Sequence, residues 1–212
     1  MGKDWNMTEK KLDRIIIEIE SQNENEYSFS ENEKIILIIG DSPYSPKIAK
    51  NISPFGIYNT YNFNEVAFIT NTKTLDMYSI VGSLFGSIDD ASMLINKLVQ
   101  KKLMDKFAKY LFFKKNVMLV NVVGQQTNID NLLGKYRNHI IFFCSNKKNI
   151  KLKNFKNINK KKTNNRYDCV FMANHPGSNS YRSGYKNSCE TYFEHLYNDS
   201  KSNLKISDFK VF

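Results

Sequence analysis

Two short segments gather the side chains best suited to bind and activate a ligand: Gly40-Asp41-Ser42-Pro43-Tyr44 and His175-Pro176-Gly177-Ser178-Asn179-Ser180-Tyr181-Arg182. The first carries a carboxylate and a hydroxyl, the second an imidazole, further hydroxyls and a guanidinium. Together they offer proton acceptors, neutral donors and a fixed positive charge. Taken singly, the first reads as an Asp-Ser-Pro turn and the second as a surface loop with a histidine. Metal chemistry is not indicated. Cys144, Cys169 and Cys189 form no CxxC pair, no zinc site is readable, and the odd count fits a reducing compartment better than a disulfide scaffold. No metal and no cofactor is expected.

Both segments are placed by strands. Ile35 to Ile39 is a short, continuous, β-branched run closed by Gly40, the pattern of a strand buried on both faces of a parallel sheet. Val117 to Val123, His139 to Cys144 and Cys169 to Ala173 are similar runs. Between and around them the spacing predicts helices: Thr8 to Ser21 with Leu12, Ile15, Ile16 and Ile19 on one face, a long one from Asp89 to Phe113, then Asn128 to Tyr136 and Asn187 to Tyr197. Strands alternating with helices predict an α/β domain with a mainly parallel sheet. Such sheets collect ligands at the carboxyl ends of their strands, where the two chemical segments fall.

The chain has 212 residues, 31 Lys and Arg against 21 Asp and Glu, and a formal charge of +10. Its length suits a single domain, and its 41% hydrophobic content supplies a core. With 15 Phe, 12 Tyr and one Trp it is not a disordered basic tail. All but Arg14, Arg137, Arg166 and Arg182 of the basic residues are Lys, and Asn is equally abundant, a joint excess that an AT-rich genome also produces. The segment from Lys147 to Arg166 holds eight Lys, one Arg and no acid, so it carries nine of the ten net charges. It reads either as a solvated insertion or as a loop that neutralises nucleic-acid phosphates. Gln22 to Glu33 reads as an acidic loop. The apolar run Ile35 to Ile39 is far short of a membrane span, and the N-terminus lacks a signal-peptide core. The expectation is a soluble, intracellular protein with no membrane partner.

The two segments, on the first and last strands of one sheet, resemble the uracil-DNA glycosylase family. That family's water-activating motif reads Gly-Gln-Asp-Pro-Tyr-His and its DNA-clamping motif His-Pro-Ser-Pro-Leu-Ser, often followed by Val-Tyr-Arg-Gly. The matches are Gly40, Pro43 and Tyr44, then His175, Pro176, Ser180, Tyr181 and Arg182 with one residue deleted before Tyr181. The strand end Met118-Leu119-Val120-Asn121 looks like the family's Leu-Leu-Leu-Asn. Phe55, thirteen residues beyond Ser42, matches the stacking Phe, with Phe68 as its competitor. The resemblance spans about residues 34 to 197 and, in length and in the opening Asp4-Trp5, is closest to the poxvirus branch. That branch combines repair with a role as a DNA polymerase processivity subunit.

The resemblance implies a three-layer α/β/α glycosylase fold with a four-stranded, mainly parallel sheet, formed by residues 1–212 as one domain with loops at 22–33 and 147–166. It implies DNA binding, single- or double-stranded, and excision of uracil by hydrolysis of the N-glycosidic bond in base excision repair. Tyr44, Phe55 and Asn121 would form the uracil pocket. His175 would stabilise the departing base, and Pro43, Pro176, Ser178, Asn179, Ser180, Tyr181 and Arg182 would hold DNA. Where the family has its catalytic Asp this chain has Ser42, which can hold a water but carries no negative charge. Asp41 stands one place earlier, where a sister branch carries its acid. Two readings follow: a hydrolase using Asp41 and Ser42, or a glycosylase-fold viral replication protein that binds DNA as a polymerase processivity factor without excising bases. If poxvirus-like, it would work at a cytoplasmic replication site.

Overall fold

Leu12, Ile15, Ile16 and Ile19, the aliphatic positions that repeat at helical spacing near the N-terminus, are the buried residues of a first helix, α1, over Glu9–Glu20. In the computed structural model of the chain, the residues described are 9–22, 35–40, 57–58, 61–62, 67–71, 73–85, 87–121, 139–143 and 168–172. Along them run β1 (Ile35–Gly40), β2 (Ile57–Tyr58), β3 (Tyr61–Asn62), α2 (Leu75–Phe85), α3 (Ile88–Gln100), α4 (Met104–Lys115), β4 (Val117–Asn121), β5 (His139–Phe143) and β6 (Asp168–Met172). The loop expected over 22–33, beyond Gln22, the loop at 147–166 and the helices expected over 128–136 and 187–197 lie outside these residues.

Four parallel strands are hydrogen bonded in the order β4-β1-β5-β6, and β2 and β3 pair separately as a small antiparallel ribbon. Strand β1 lies between β4 and β5, so all its carboxyl-end neighbours are parallel to it. Ile36, Ile38, Val117 and Leu119 face a core shared with all four helices. Leu37, Ile39, Met118 and Val120, which alternate with them, are also buried. Burial on both faces is why these runs are continuously apolar instead of alternating.

The helices stack outward from this sheet. Helix α2 packs against α3, and α1 packs on α3 and α4. Burying four aliphatic side chains of α1 contributes roughly 1.5–3 kcal/mol each, so apolar contact holds the helix. Around it, Lys97 Nζ meets Asp13 Oδ1 at 2.8 Å and Lys101 Nζ meets Glu20 Oε1 at 2.8 Å. Such exposed pairs add about 0–1 kcal/mol each and fix the helix's register. Tyr110 Oη donates to Glu18 Oε2 at 2.8 Å. This bond is the main cause holding the Glu18 carboxyl below its ordinary value, while burial, with Glu18 second, pushes the Tyr110 phenol up.

The long helix expected from Asp89 to Phe113 is two helices. Ser87 caps the first, its Oγ accepting from Asp90 N at 3.2 Å. The break falls at Lys102, whose φ of 57° is left-handed. There Leu103 N donates to Leu98 O at 2.9 Å and Lys102 N to Val99 O at 3.2 Å, a Schellman ending. The position normally announces itself by glycine, and this chain has lysine, so the stop left no mark in the sequence. Helix α2 is buried on every side, with Met77, Tyr78, Ser79, Ile80, Val81, Ser83, Leu84 and Phe85 all enclosed. It therefore has no apolar stripe for periodicity to find.

Two outcomes are expected. Lys102→Gly relieves a left-handed side chain and raises stability by about 1 kcal/mol, roughly 2–4 °C in Tm for a chain of this size. Lys101→Gly, at a right-handed position, lowers it instead. Because the Glu18 carboxyl is held below its ordinary value of 4.5, its stabilisation is complete above that pH and is lost as the pH falls through the folded value. Tyr110→Phe is expected to flatten acid denaturation below pH 4.5, measured by urea titration across pH.

Candidate functional site

The carboxyl ends of β1 and β4 come together at one register pair, Gly40 opposite Asn121. By alternation Gly40 follows Ile36 and Ile38 on one face of β1, and Asn121 follows Val117 and Leu119 on the same face of β4. Asn121 thus takes the place of the next aliphatic side chain in a row that faces the helical core. It is 3% exposed, and its Nδ2 is buried with no hydrogen-bond partner. An unsatisfied donor of that kind costs about 1–3 kcal/mol. A fold tolerates this where the group serves a ligand.

Beside it the chain makes a turn. Ala67 N donates to Leu119 O at 3.3 Å, which lays residues 67–70 along the outer edge of β4. Ile69 N donates back to Ala67 O at 2.8 Å, closing a three-residue turn around Phe68. Phe68 has φ of 64°, a left-handed backbone that a bulky aromatic residue rarely adopts, and it is 4% exposed. Strain of this kind costs about 1–3 kcal/mol and concentrates at functional sites. Gly40 makes the arrangement sterically feasible. A methyl group on it would stand 3.0 Å from Asn121 Oδ1, 3.0 Å from Phe68 Cζ and 3.3 Å from Ala67 Cβ. These contacts are tighter than a side-chain carbon ordinarily makes, so any larger residue would have to push Phe68 or Asn121 aside by a few tenths of an ångström.

Of the residues the sequence singled out, Asn121 is described, together with Phe68 as the competing stacking ring. Asp41, Ser42, Pro43, Tyr44, Phe55, His175, Pro176, Ser178, Asn179, Ser180, Tyr181 and Arg182 lie outside the described residues. The strands that lead to them are described. Strand β1 ends at Gly40, one residue before Asp41, and β6 ends at Met172, three before His175. One strand, β5, separates β1 from β6, so the strand ends that launch the two segments are roughly 10 Å apart at ordinary strand spacing. Across the sheet's carboxyl edge the described strand ends run in the order Asn121 of β4, Gly40 of β1, Phe143 of β5 and Met172 of β6.

Sequence reasoning did not anticipate the strained turn, nor Ala67 as its anchor to β4. A positive φ at a phenylalanine has no residue-type signal, unlike one at glycine or asparagine. Among the described residues no helix is long and apolar enough to cross a membrane. The chain matches no protein-family model, no curated protein and no solved structure.

Because the Asn121 donor is unpaired, replacing the residue with an apolar one of similar shape should not weaken the fold. Asn121→Leu is expected to keep or raise stability, by up to about 1–3 kcal/mol, in chemical denaturation. A loss of several kcal/mol would show that the carboxamide is structural.

Proposed function

We propose that this protein binds DNA and excises uracil by hydrolysing the N-glycosidic bond, on a three-layer uracil-DNA glycosylase fold. The observation that carries the reading is the buried, unpartnered Asn121 Nδ2 at the carboxyl edge, in register with Gly40 of the strand that leads into Asp41. A base within a duplex is out of reach, so such an enzyme flips it into a pocket and reads its edge. Asn121 Nδ2 donates to uracil O4 and Oδ1 accepts from N3–H. Cytosine presents an amino donor where O4 would be, and leaves the buried amide unpaired.

Of the two candidate stacking rings, Phe55 and Phe68, the nearness of Phe68 to Asn121 supports it for the base's face, while Phe55 lies outside the described residues. Tyr44 closes the space a thymine methyl would need. In the reaction a water held by Asp41 and Ser42 attacks C1′ of the sugar and gives its proton to the Asp41 carboxylate. The C1′–N1 bond breaks, and its electron pair stays on uracil. His175 donates to O2, where the negative charge gathers. Pro43, Pro176, Ser178, Asn179, Ser180, Tyr181 and Arg182 hold the flanking DNA, and the basic segment at 147–166 tracks its phosphates.

A second reading is favoured by Ser42, which stands where the family has its catalytic Asp: the fold would then bind DNA as a polymerase processivity subunit. The test is incubation with a uracil-containing oligonucleotide followed by alkali. The hydrolase reading expects strand breaks at uracil, reduced at least about 100-fold by Asp41→Asn. No breaks at high protein excess, with DNA binding that weakens steeply with salt, would favour the processivity reading.

A further inference from the structure

Asn121 Nδ2 has neither a protein acceptor nor access to water. A buried donor in that state serves a ligand only when something covering it moves. Phe68 is the described neighbour whose backbone is strained. Its Cζ and the Asn121 Oδ1 each lie 3.0 Å from the point a Gly40 methyl would occupy, so the two atoms are at most about 6 Å apart. The ring is carried by the left-handed Phe68 backbone, closed by the Ile69 N to Ala67 O bond of 2.8 Å. The Ala67 N to Leu119 O bond fastens this turn to the same strand that ends in Asn121. Extended backbone is lower in energy for phenylalanine than the left-handed region, so the turn relaxes away from its present conformation once its bonds open.

We infer that Phe68 is a gate over the Asn121 carboxamide: the strained three-residue turn holds the ring beside it, and the site admits the hydrogen-bonding edge of a planar heterocycle, with the ring moving onto its face, only when that turn relaxes. The inference rests on the reading of Asn121 as the ligand-reading amide, and it requires neither a particular base nor catalysis. Both costs of the present arrangement, the unpaired donor and the left-handed aromatic residue, are relieved together on binding. Gate and reader therefore act as one two-state element.

Asn121→Cys in the full chain puts a thiol under the gate. Its reaction with iodoacetamide is followed by mass spectrometry of the peptide that contains it, which separates it from the three native cysteines. Adding Phe68→Ala is expected to speed labelling at least about tenfold, whereas Leu98→Ala, which opens a cavity in the helical layer, leaves the rate unchanged. Equal rates with and without Phe68, or equal acceleration by Leu98→Ala, would overturn the gate. Should Asn121→Cys not fold, exchange of the Asn121 carboxamide protons with water, read by NMR in chains that keep Asn121, makes the same comparison with the same two outcomes. No nucleic acid enters the measurement, so a failed gate leaves the excision assay standing, and a failed excision assay leaves the gate standing.

Discussion

A carboxamide donor closed off from water at the end of a row of aliphatic side chains is the constraint on which the carboxyl edge of this sheet depends. Val117 and Leu119 lead up β4 to Asn121 on the face that packs against the helices, and the polar group falls where the core ends. Everything around it is arranged to keep that position narrow. Gly40 has no side chain, Ala67 has a small one, and the Phe68 backbone is bent into the left-handed region to bring its ring alongside. Two unfavourable terms in one small region, an unpaired donor and a strained aromatic residue, together amount to a few kcal/mol.

The rest of the molecule offsets that cost by burial. Both faces of β1 and β4 are enclosed, and α2 is enclosed on all sides and crosses α3 so closely that a methyl at Gly82 would collide with Ile88. Apolar burial at this density holds the strand ends rigid, as a pocket that reads hydrogen bonds requires. The ionic pairs that join α1 to α3 lie on the rim of this core and act on register more than on stability. Charge and packing are thus divided along the chain: the helical layer fixes geometry, while nine of the ten net charges fall between Lys147 and Arg166, in the segment that joins β5 to β6.

How much of this was legible depends on whether a residue's type reveals its environment. The strands β1 and β4 lie on continuously apolar runs because burial on both faces demands them, β5 and β6 fall on similar runs, and α1 shows its face because one side meets water. Helix α2 was invisible because it has no wet side, and the break at Lys102 because lysine stands where glycine would have marked it. At the site, Asn121 could be found from its place at a strand end. The nearness of Phe68 to Asn121 could not be read from spacing, since it comes with the hydrogen bond between Ala67 and Leu119, a contact between segments some fifty residues apart, and Phe55 lies outside the described residues. The role of Gly40 was half legible: the motif contains it, but the reason for it is the ring and the carboxamide that converge there.

The most direct test of the central claim, that Asn121 reads a nucleobase edge, is the position of its side-chain NH2 signals in NMR as a single-stranded uracil-containing oligonucleotide is added. A donor that passes from no partner to a carbonyl oxygen moves its proton resonances downfield. The account predicts a saturable downfield shift of the Asn121 signals with that oligonucleotide and none with the same sequence carrying cytosine in place of uracil. Signals that stay in place at saturating oligonucleotide, or that move equally with both, would contradict it.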